Sequence, residues 1–394
     1  MIHILITPKF RGFICAAAHP KGCAEHVRQQ IEYVKAADKF IGPKRALVIG
    51  SSTGYGLASQ IALTFGADTD TIGVFLERPY TEKRPASAGW YNMAAFTKAA
   101  KTSGRRAFNI NGDAFSTEVK REALDLIKKE FGQIDCLIYS LASPRRIHPL
   151  TGKTYSSVLK PINTLFFSKT VDFHTEAVSN ISIEPATADE IEGTIAVMGG
   201  EDWQMWIEAL LAENLLAEGA TTLNYSYVGP ELTYPIYRFG TIGHAKADSE
   251  QTAVDLNKQL QKIGGKAKIA VNKAVVTQAS AAIPVVPLYI SLLFKVMKDQ
   301  GIHEGCIEQM YRLFSQSLNN EGSLDREGRI RMDDWELRDS VQEKIAHAWM
   351  QVSTENMPDV SDIAGFRQDF FRLFGFGFEN IDYELPVDIA VDFS

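Results

Sequence analysis

Cysteine is scarce in this sequence, and its spacing excludes two kinds of stabilising site. The 394 residues include four cysteines, scattered along the chain. Even the pair nearest in sequence, Cys15 and Cys23, is too far apart for a CxxC motif, and so few cysteines in a chain this long do not predict a disulfide framework. The opening MIHILI is too short an apolar run for a secretory signal. We therefore expect a reduced, cytoplasmic protein.

Long hydrophobic runs are also lacking. The most apolar stretch is AAIPVVPLYISLLF, from Ala281 to Phe294. It falls short of the ~20 residues that cross a bilayer, and Pro284 and Pro287 interrupt it. The sequence therefore predicts no membrane insertion, and this stretch is expected to form an apolar helix that lines a cleft or packs in the core.

An excess of positive charge and a complete set of metal ligands are missing as well. The formal net charge is −7, so no general attraction to nucleic acid is expected. The stretch DREGRIRMDDWE, from Asp325 to Glu336, has acidic residues at the ends of a possible EF-hand loop. Its sixth position is Ile330, where that loop requires glycine. The sequence thus predicts neither a nucleic-acid partner nor a metal site.

What is present is an alternation of apolar runs and helical patterns between Lys44 and Ala142. Four runs are typical of buried strands: RALVIG, DTIGVFLE, RRAFNINGDAF and IDCLIYSLA. Among the segments that separate them, STGYGLASQIALTFG has a helical pattern, and STEVKREALDLIKKEFGQ begins with a Ser/Thr cap. This order predicts an α/β fold of the Rossmann-like type, with a doubly wound parallel sheet.

The domain organisation follows from the lack of repeats and linkers. We expect a single enlarged Rossmann-like domain over 1–394, with additional helices. It would comprise an N-terminal segment (1–43), a cofactor-binding and catalytic core (44–300) and a mostly helical C-terminal extension (301–394). Within the core, TTLNYSYVG and KAKIAVNKAVV read as further strands, whereas 144–185 has weak periodicity and predicts an insertion made of loops.

A glycine-rich turn lies between the first of these strands and its helix. The sequence GSSTGYG places Gly50, Gly54 and Gly56 there. Glycine allows a sharp turn and a close approach to a pyrophosphate, and the helix N-terminus adds unpaired N–H groups and partial positive charge. The spacing G-x-x-x-G-x-G is that of short-chain reductases. Tight strand–helix turns use glycine anyway, so the prediction of a dinucleotide site depends on this strand–turn–helix context.

The ends of the next strands favour NADH as the dinucleotide. Glu77 ends the second strand, where a carboxylate accepts hydrogen bonds from the adenosine ribose and repels a 2′-phosphate. A solvated carboxylate is the alternative, and the neighbouring Arg78 could instead hold that phosphate. Asp113, after the third strand, could bind the adenine amino group. The small residues of SLAS, after the fourth, leave room for the nicotinamide ribose.

The segment YPIYRFGTIGHAK contains the candidate proton donor. A reductase that adds hydride to a polarised double bond must stabilise an oxyanion, and a tyrosine does so if a nearby cation lowers its pKa. Tyr237 and Lys246 are nine positions apart, which places them on opposite sides of one continuous helix. We therefore expect Tyr237 before the helix, in a segment bent at Gly240 and Gly243, and Lys246 in the first turns of that helix.

Other tyrosines compete for this role. Tyr225 and Tyr227 alternate on the preceding strand, so they share a face. Tyr227 is nearer the strand end, where ligands of open α/β sheets bind, and it could contact a substrate carbonyl or simply pack in the core. Tyr234 is another possible proton donor.

Motifs along nearly the whole chain resemble one family, the bacterial enoyl-thioester reductases with a Tyr-(x)8-Lys pair. It includes the V-type NADH-dependent enoyl-acyl-carrier-protein reductases and the trans-2-enoyl-CoA reductases. The matching stretches are long and specific: RGFICAAAHPKGCAEHVRQQIEYVK, LVIGSSTGYGLASQIA, ERPYTEKRPASAGWYN, INGDAFS, YSLASPRR, NYSYVGPELTYPIYRFGTIGHAK, VNKAVVTQASAAIPVVPLYISLLFK and MDDWELRDSVQ.

The resemblance implies a role for each matching position. Tyr237 would donate the proton, Tyr227 would contact the substrate, and Lys246 would bind the nicotinamide ribose. The other positions implied to bind NADH are Gly50, Ser51, Ser52, Thr53, Gly54, Tyr55, Leu76, Glu77, Asp113, Ala114, Leu141, Ala142, Val275, Val276 and Thr277.

The implied reaction is the NADH-dependent reduction of the trans-2 double bond of an enoyl thioester, the last step of fatty-acid chain elongation, by a generally monomeric protein. The carrier is acyl carrier protein or coenzyme A, and Arg145 and Arg146 would suit either. A carbonyl reductase, such as a ketoacyl reductase, and a non-catalytic NAD-binding protein stay open as alternatives. The sequence also leaves open whether Tyr227 or Tyr237 contributes more to oxyanion stabilisation.

Overall fold

The computed structural model describes residues 2–12, 14–318 and 324–393. Its strands are β1 (His3–Ile4), β2 (Phe10–Arg11), β3 (Ile14–Cys15), β4 (Arg45–Ile49), β5 (Asp70–Phe75), β6 (Ala107–Asn111), β7 (Ile134–Tyr139), β8 (Arg145–Ile147), β9 (Thr154–Ser156), β10 (Phe166–Asp172), β11 (Ala177–Ile183), β12 (Leu216–Ser226), β13 (Lys266–Val271), β14 (Ile330–Arg331) and β15 (Val387–Asp388).

The helices alternate with the strands through most of the core. They are α1 (Pro20–Ala36), α2 (Gly54–Gly66), α3 (Ala88–Thr102), α4 (Thr117–Glu130), α5 (Ala188–Met198), α6 (Glu201–Ala212), α7 (Thr241–Leu260), α8 (Gln278–Ala281), α9 (Val286–Asp299), α10 (Cys306–Arg312), α11 (Asp339–Gln351), α12 (Met357–Val360) and α13 (Ile363–Arg372). None of these helices is long and apolar enough to cross a membrane.

Seven parallel strands form the central sheet, in the order β14-β13-β12-β7-β4-β5-β6. From β4 the chain adds β5 and β6 on one side and then β7, β12 and β13 on the other. The direction of winding therefore reverses between β4 and β7, and open α/β sheets bind ligands at the carboxyl ends of the strands beside such a reversal. The predicted doubly wound parallel sheet is confirmed.

Alternate side chains of the strands pack on opposite faces of this sheet. Leu47 and Ile49 of β4 belong to a core with α4, α6 and α7, whereas Ala46 and Val48 belong to a core with α1, α2, α3 and α10. The expected cap of α4 is present, because the Ser116 side chain accepts a hydrogen bond from the backbone N–H of Val119 (3.2 Å). The sheet is thus covered on both faces, as its near-continuous apolar strands require.

A third core is built around α9 and joins distant parts of the chain. It contains buried side chains of α9, of α11 and α13 in the C-terminal extension, and of the N-terminal segment, and it includes the ring of Tyr237. Phe366 and Phe370 of α13 are fully buried in it. The mostly helical extension is therefore packed into the body of the protein.

Two segments differ from their predictions. Residues 144–185 contain two antiparallel pairs, β8 with β9 and β10 with β11, where loops were expected. The expected apolar helix from Ala281 to Phe294 is interrupted. Helix α8 ends at Ala281, Val285 has a φ of 78°, and α9 begins at Val286. The interruption has a local cause, because proline restricts the residue before it and suits only the first turn of a helix.

Candidate active site

The carboxyl ends of the parallel strands bring most of the predicted site residues to one edge of the sheet. Gly50 follows β4, Glu77 follows β5, Asp113 follows β6, Tyr227 follows β12, and Val275 lies shortly after β13. These positions span more than half of the sequence. Their meeting at one edge is a consequence of the parallel sheet.

The glycine turn between β4 and α2 does not tolerate a larger residue at its first glycine. Gly50 and Gly54 have positive φ angles of 81° and 53°. A Cβ on Gly50 would lie 2.3 Å from the carbonyl oxygen of Ser140, so only glycine fits there. Thr53, the N-cap of α2, makes no side-chain hydrogen bond to the helix. This geometry fits a pyrophosphate, because the first N–H groups of α2 have no capping side chain.

The turn is also held against the segment that follows β13. The Tyr55 hydroxyl donates a hydrogen bond to the carbonyl oxygen of Lys273 (2.7 Å). A Cβ on Gly54 would lie 3.4 Å from Cγ2 of Thr277, and Thr277 itself caps α8 by accepting from the N–H of Ser280 (3.0 Å). Val275 and Val276 of this segment are buried. The segment that was predicted to close over the cofactor therefore lies beside the glycine turn.

Glu77 is fixed beside the same turn. Its Oε1 accepts a hydrogen bond from the Ser52 hydroxyl (2.7 Å), while the neighbouring Leu76 is exposed. Burial raises the pKa of the Glu77 carboxyl, and hydrogen bonds from serine side chains oppose that rise. The guanidinium of Arg78 donates instead to the carbonyl oxygen of Pro85 (3.3 Å). Glu77 thus stands where a ribose diol binds in this fold.

The loops after β6 and β7 contain the residues that the resemblance assigns to the adenine and to the nicotinamide. Oδ1 of Asp113 accepts the N–H of Phe115 (3.0 Å), and the carbonyl oxygen of Ala114 accepts from the Lys120 ammonium (2.9 Å). On the other side, Leu141 is half-buried and Ala142 is exposed.

Tyr237 precedes α7, as predicted. Its ring is nearly buried and meets that of Tyr227 edge-on, with centroids 4.8 Å apart and planes at 80°. Gly240 is the N-cap of α7. Gly243, which was also expected in the bend, lies instead in the first turn of that helix, where a Cβ would lie 2.0 Å from the carbonyl oxygen of Arg238. In the part of the chain that the structure describes, the Tyr237 hydroxyl has no hydrogen-bond partner. It is therefore available to a ligand.

Lys246 lies in the second turn of α7, also as predicted, but it does not act on the Tyr237 phenol as expected. Its ammonium donates to the carbonyl oxygen of Tyr225 (3.0 Å), at the end of β12. Burial lowers the pKa of Lys246 to about 8. Burial also raises the pKa of Tyr237, opposite to the lowering expected from a nearby cation.

The other tyrosines have structural partners. Tyr225 is buried in the sheet core and shares a hydrogen bond with the Ser59 hydroxyl (2.6 Å). Tyr234 packs edge-on against Phe239. The Tyr227 hydroxyl donates to Oε1 of Glu336 (3.0 Å), in the C-terminal extension. Sequence reasoning missed Glu336, because no local pattern connects residues 109 positions apart.

The two arginines of SPRRIH differ in availability. Arg146 is buried and forms an ion pair with Glu201 (2.6 Å) as well as a hydrogen bond to the carbonyl oxygen of Ala196. Arg145 is exposed. Both arginines were expected to suit an anionic carrier. Of the two, Arg145 is accessible to such a carrier and Arg146 is not.

The parallel sheet, its glycine turn at the reversal of winding and the free tyrosine hydroxyl near the same edge together define a nicotinamide-dependent reductase with a Rossmann-like fold. Comparison with known proteins gives the family. The profile of the trans-2-enoyl-CoA reductase catalytic region matches residues 84–319, and the NAD(P)H binding domain of trans-2-enoyl-CoA reductase matches 5–82. The chain belongs to the trans-2-enoyl-CoA reductase family.

Full-length relatives carry two names. The chain is 57% identical over 390 residues to a trans-2-enoyl-CoA reductase [NADH] of Ruminiclostridium cellulolyticum, with 99% of each chain covered. It is 58% identical over 391 residues to an enoyl-[acyl-carrier-protein] reductase [NADH] of Flavobacterium johnsoniae, again with 99% of each covered. The crystal structure of the Clostridium acetobutulicum trans-2-enoyl-CoA reductase with NADH matches with a TM-score of 0.96 at 44% identity, covering 99% of both chains.

A third profile, named enoyl reductase FAD binding domain, matches residues 324–387. Every residue of this segment is described, and its fold does not fit a flavin dinucleotide. Its strand β14 is followed by MDDWELR and α11, with no glycine turn between strand and helix. The inward side chains of α11 and α13 fill the third core instead. We therefore assign no flavin chemistry to this segment.

Proposed function

We propose that this protein reduces the trans-2 double bond of enoyl thioesters with NADH, as the last step of fatty-acid chain elongation. The observation that carries the proposal is the unpartnered hydroxyl of Tyr237, which lies in a nearly buried ring beyond the end of β12. A donor held in a poorly hydrated site and free of other hydrogen bonds suits a developing oxyanion. The names of the full-length relatives support the same reaction.

In this proposal each side of the sheet edge binds one part of the cofactor. Gly50 to Tyr55 surround the pyrophosphate, Leu76 and Glu77 bind the adenosine ribose, and Asp113 and Ala114 contact the adenine. Leu141 and Ala142 lie on the nicotinamide side, where Val275, Val276 and Thr277 close over the cofactor. Lys246, whose ammonium is near the end of β12, binds the hydroxyls of the nicotinamide ribose.

The chemical step follows from the same assignments. Bound NADH supplies the hydride that reaches the β-carbon of the substrate. Tyr237 donates a hydrogen bond to the thioester oxygen as negative charge develops there, and the resulting enolate then takes up a proton from water at its α-carbon. Because burial raises the pKa of Tyr237, its hydroxyl keeps its proton until that charge forms. Tyr227, whose ring packs against that of Tyr237, contacts the substrate in this proposal.

The test is NADH oxidation with crotonyl-CoA and, in parallel, with acetoacetyl-CoA. Turnover of crotonyl-CoA is expected. Turnover of acetoacetyl-CoA alone would support a carbonyl reductase on the same scaffold. Saturable NADH binding without turnover of either substrate would support a non-catalytic NAD-binding protein.

The carrier is a separate question, because one relative is named for coenzyme A and another for acyl carrier protein. We propose that either thioester is accepted, and the exposed Arg145 suits the anionic groups of both. Parallel assays of one acyl chain on the two carriers, for wild type and Arg145→Ala, test this. A variant that loses activity on neither carrier would contradict the role of Arg145.

We further propose that the chain is a single enlarged domain and a cytoplasmic monomer. The pairing of β14 with β13 and the shared third core support one domain, because the extension completes both. The four cysteines are all free, which suits a reducing compartment. Light scattering of the purified protein should give the mass of one chain, and cell fractionation should recover it with cytoplasmic enzymes.

A further inference from the structure

Glu336 of the C-terminal extension is a fully buried carboxylate directly beside the candidate active site. Its Oε1 accepts two tyrosine hydroxyls, from Tyr227 (3.0 Å) and from Tyr289 of α9 (2.7 Å). Its Oε2 accepts the backbone N–H of Ala274 (2.7 Å), just before the segment that is proposed to close over the cofactor. The carboxylate thus connects β12, α9 and the end of β13.

The hydrogen bonds to the carboxyl group of Glu336 all have its oxygens as acceptors. Three donors face its two oxygens, and no acceptor among the described residues bonds to it. Burial raises the pKa of the Glu336 carboxyl, while the nearby Lys273 ammonium and the donors oppose that rise. Several donors and a neighbouring cation thus compensate in part for the burial of this carboxyl group.

This arrangement gives the two active-site tyrosines different roles. A tyrosine hydroxyl has one proton. Tyr227 uses that proton in its hydrogen bond to Glu336, so in this arrangement it does not also donate to a substrate oxygen. Tyr237 has no hydroxyl partner among the described residues and keeps its proton for a ligand. The Tyr227 ring, held by Glu336, packs edge-on against Tyr237.

We propose that Glu336 is a positioning residue of this active site. It accepts a hydrogen bond from the Tyr227 hydroxyl, fixes that ring against Tyr237, and so leaves Tyr237 as the hydroxyl that donates to the developing oxyanion. The role rests on the proposed function. It also gives the C-terminal extension a part in the reaction, through one carboxylate that reaches the end of β12 from the segment after β14.

The experiment is a double-mutant cycle of Tyr227→Phe and Glu336→Gln, with kcat and KM measured for crotonyl-CoA and for NADH. We expect Glu336→Gln to lower kcat about tenfold, because small errors in the placement of a reacting group are costly. The KM for NADH should stay unchanged. In the Tyr227→Phe background, Glu336→Gln should change kcat by no more than about twofold, since the hydroxyl it holds is already gone.

Glu304→Gln is the matched control for the loss of a buried carboxylate. Glu304 is also buried, but it binds Gln309 and Arg312 rather than the tyrosines. This variant should lower the melting temperature and leave kcat within about twofold of wild type. A tenfold loss of kcat in the control would assign the Glu336 effect to general destabilisation and overturn the proposal.

The remaining outcomes are distinguishable. If the losses from Tyr227→Phe and Glu336→Gln multiply in the double variant, Glu336 acts independently of Tyr227, and the positioning role is wrong while the reductase function stands. A Glu336→Gln variant with the kcat of wild type would likewise show that the positioning role is wrong and leave the reductase function intact. A wild-type protein that turns over no enoyl thioester overturns both the function and this role.

Discussion

The region from β4 to β7 and the C-terminal extension reach the same site by different physical routes. In the first, strands and helices alternate, and each short turn places its residues at the sheet edge through local chain geometry. In the second, a two-residue strand and short helices place a carboxylate beside Tyr227. Its position is set by packing around α9.

Because of this difference, a sequence motif marks the residues of the first region but not those of the second. The glycine turn depends on a local backbone form that glycines at fixed spacing allow, so its residues make a recognisable motif. Glu336 needs only to be buried at the correct distance from Tyr227, which many backbone paths could achieve. A site can therefore have one half with a motif and another half without one.

Removing a buried ring from each region should give the largest effect, on the free energy of unfolding, and should change a different step of function in each. Phe370→Ala in the third core and Phe96→Ala beside the sheet each remove a fully buried ring. Each should lower the free energy of unfolding by about 3–5 kcal/mol, as measured by denaturant titration. Phe370→Ala should also lower kcat at unchanged NADH affinity, whereas Phe96→Ala, in the helix next to Glu77, should weaken NADH binding. The comparison breaks if both variants weaken NADH binding equally.

The next largest effect is expected at Tyr237, the proposed oxyanion donor. Tyr237→Phe removes the proposed oxyanion donor, which is worth roughly 2.7–4 kcal/mol in the transition state, so turnover should fall about 100-fold or more while NADH binding persists. Stopped-flow turnover and NADH titration measure the two quantities. Tyr234→Phe is the control and should stay near wild type. Retained turnover in Tyr237→Phe, or a loss confined to NADH binding, would contradict the assignment.

A smaller effect sharpens the assignment of the β5 end. Glu77→Gln removes the charge that repels a 2′-phosphate, so the ratio of kcat/KM for NADPH to that for NADH should rise by about tenfold. The same ratio in Arg78→Ala shows whether that arginine, bound here to the Pro85 carbonyl, contributes to phosphate binding. An unchanged ratio in Glu77→Gln would mean that Glu77 does not select the cofactor.

The smallest effect concerns the charge on Lys246. Burial lowers its folded-state pKa from the ordinary 10.5 to about 8. Between these values the unfolded chain binds the proton and the folded chain does not, so this contribution to stability rises with pH through that window. Lys246→Met should be more stable than wild type near pH 7, by on the order of 1 kcal/mol, and the difference should shrink as pH approaches 10.5. If the difference in unfolding free energy between Lys246→Met and wild type stayed constant from about pH 8 to 10.5, the lowered pKa of Lys246 would be wrong.

The sequence anticipated much of this arrangement, for identifiable reasons. The strands of the sheet were visible as apolar runs because both of their faces are buried. The break between Tyr237 and Lys246 followed from helical periodicity, and α7 does begin between them, at Thr241. The strand pairs in 144–185 were missed because β8 and β9 have only three residues each, and β10 and β11 have few fully buried side chains and so a weak hydrophobic pattern. The contact of Lys246 with the Tyr225 carbonyl was also not foreseen.

The class of fold, the glycine turn and the position of Tyr237 before its helix could all be derived from the sequence. Each depends on neighbouring residues, whose backbone and periodicity obey local rules. Which tyrosine hydroxyl has no partner among the described residues depends on the tertiary structure, because the partner of Tyr227 comes from a separate segment. Burial alone likewise set the direction of the Tyr237 and Lys246 pKa shifts, since desolvation depends on every side chain packed around them.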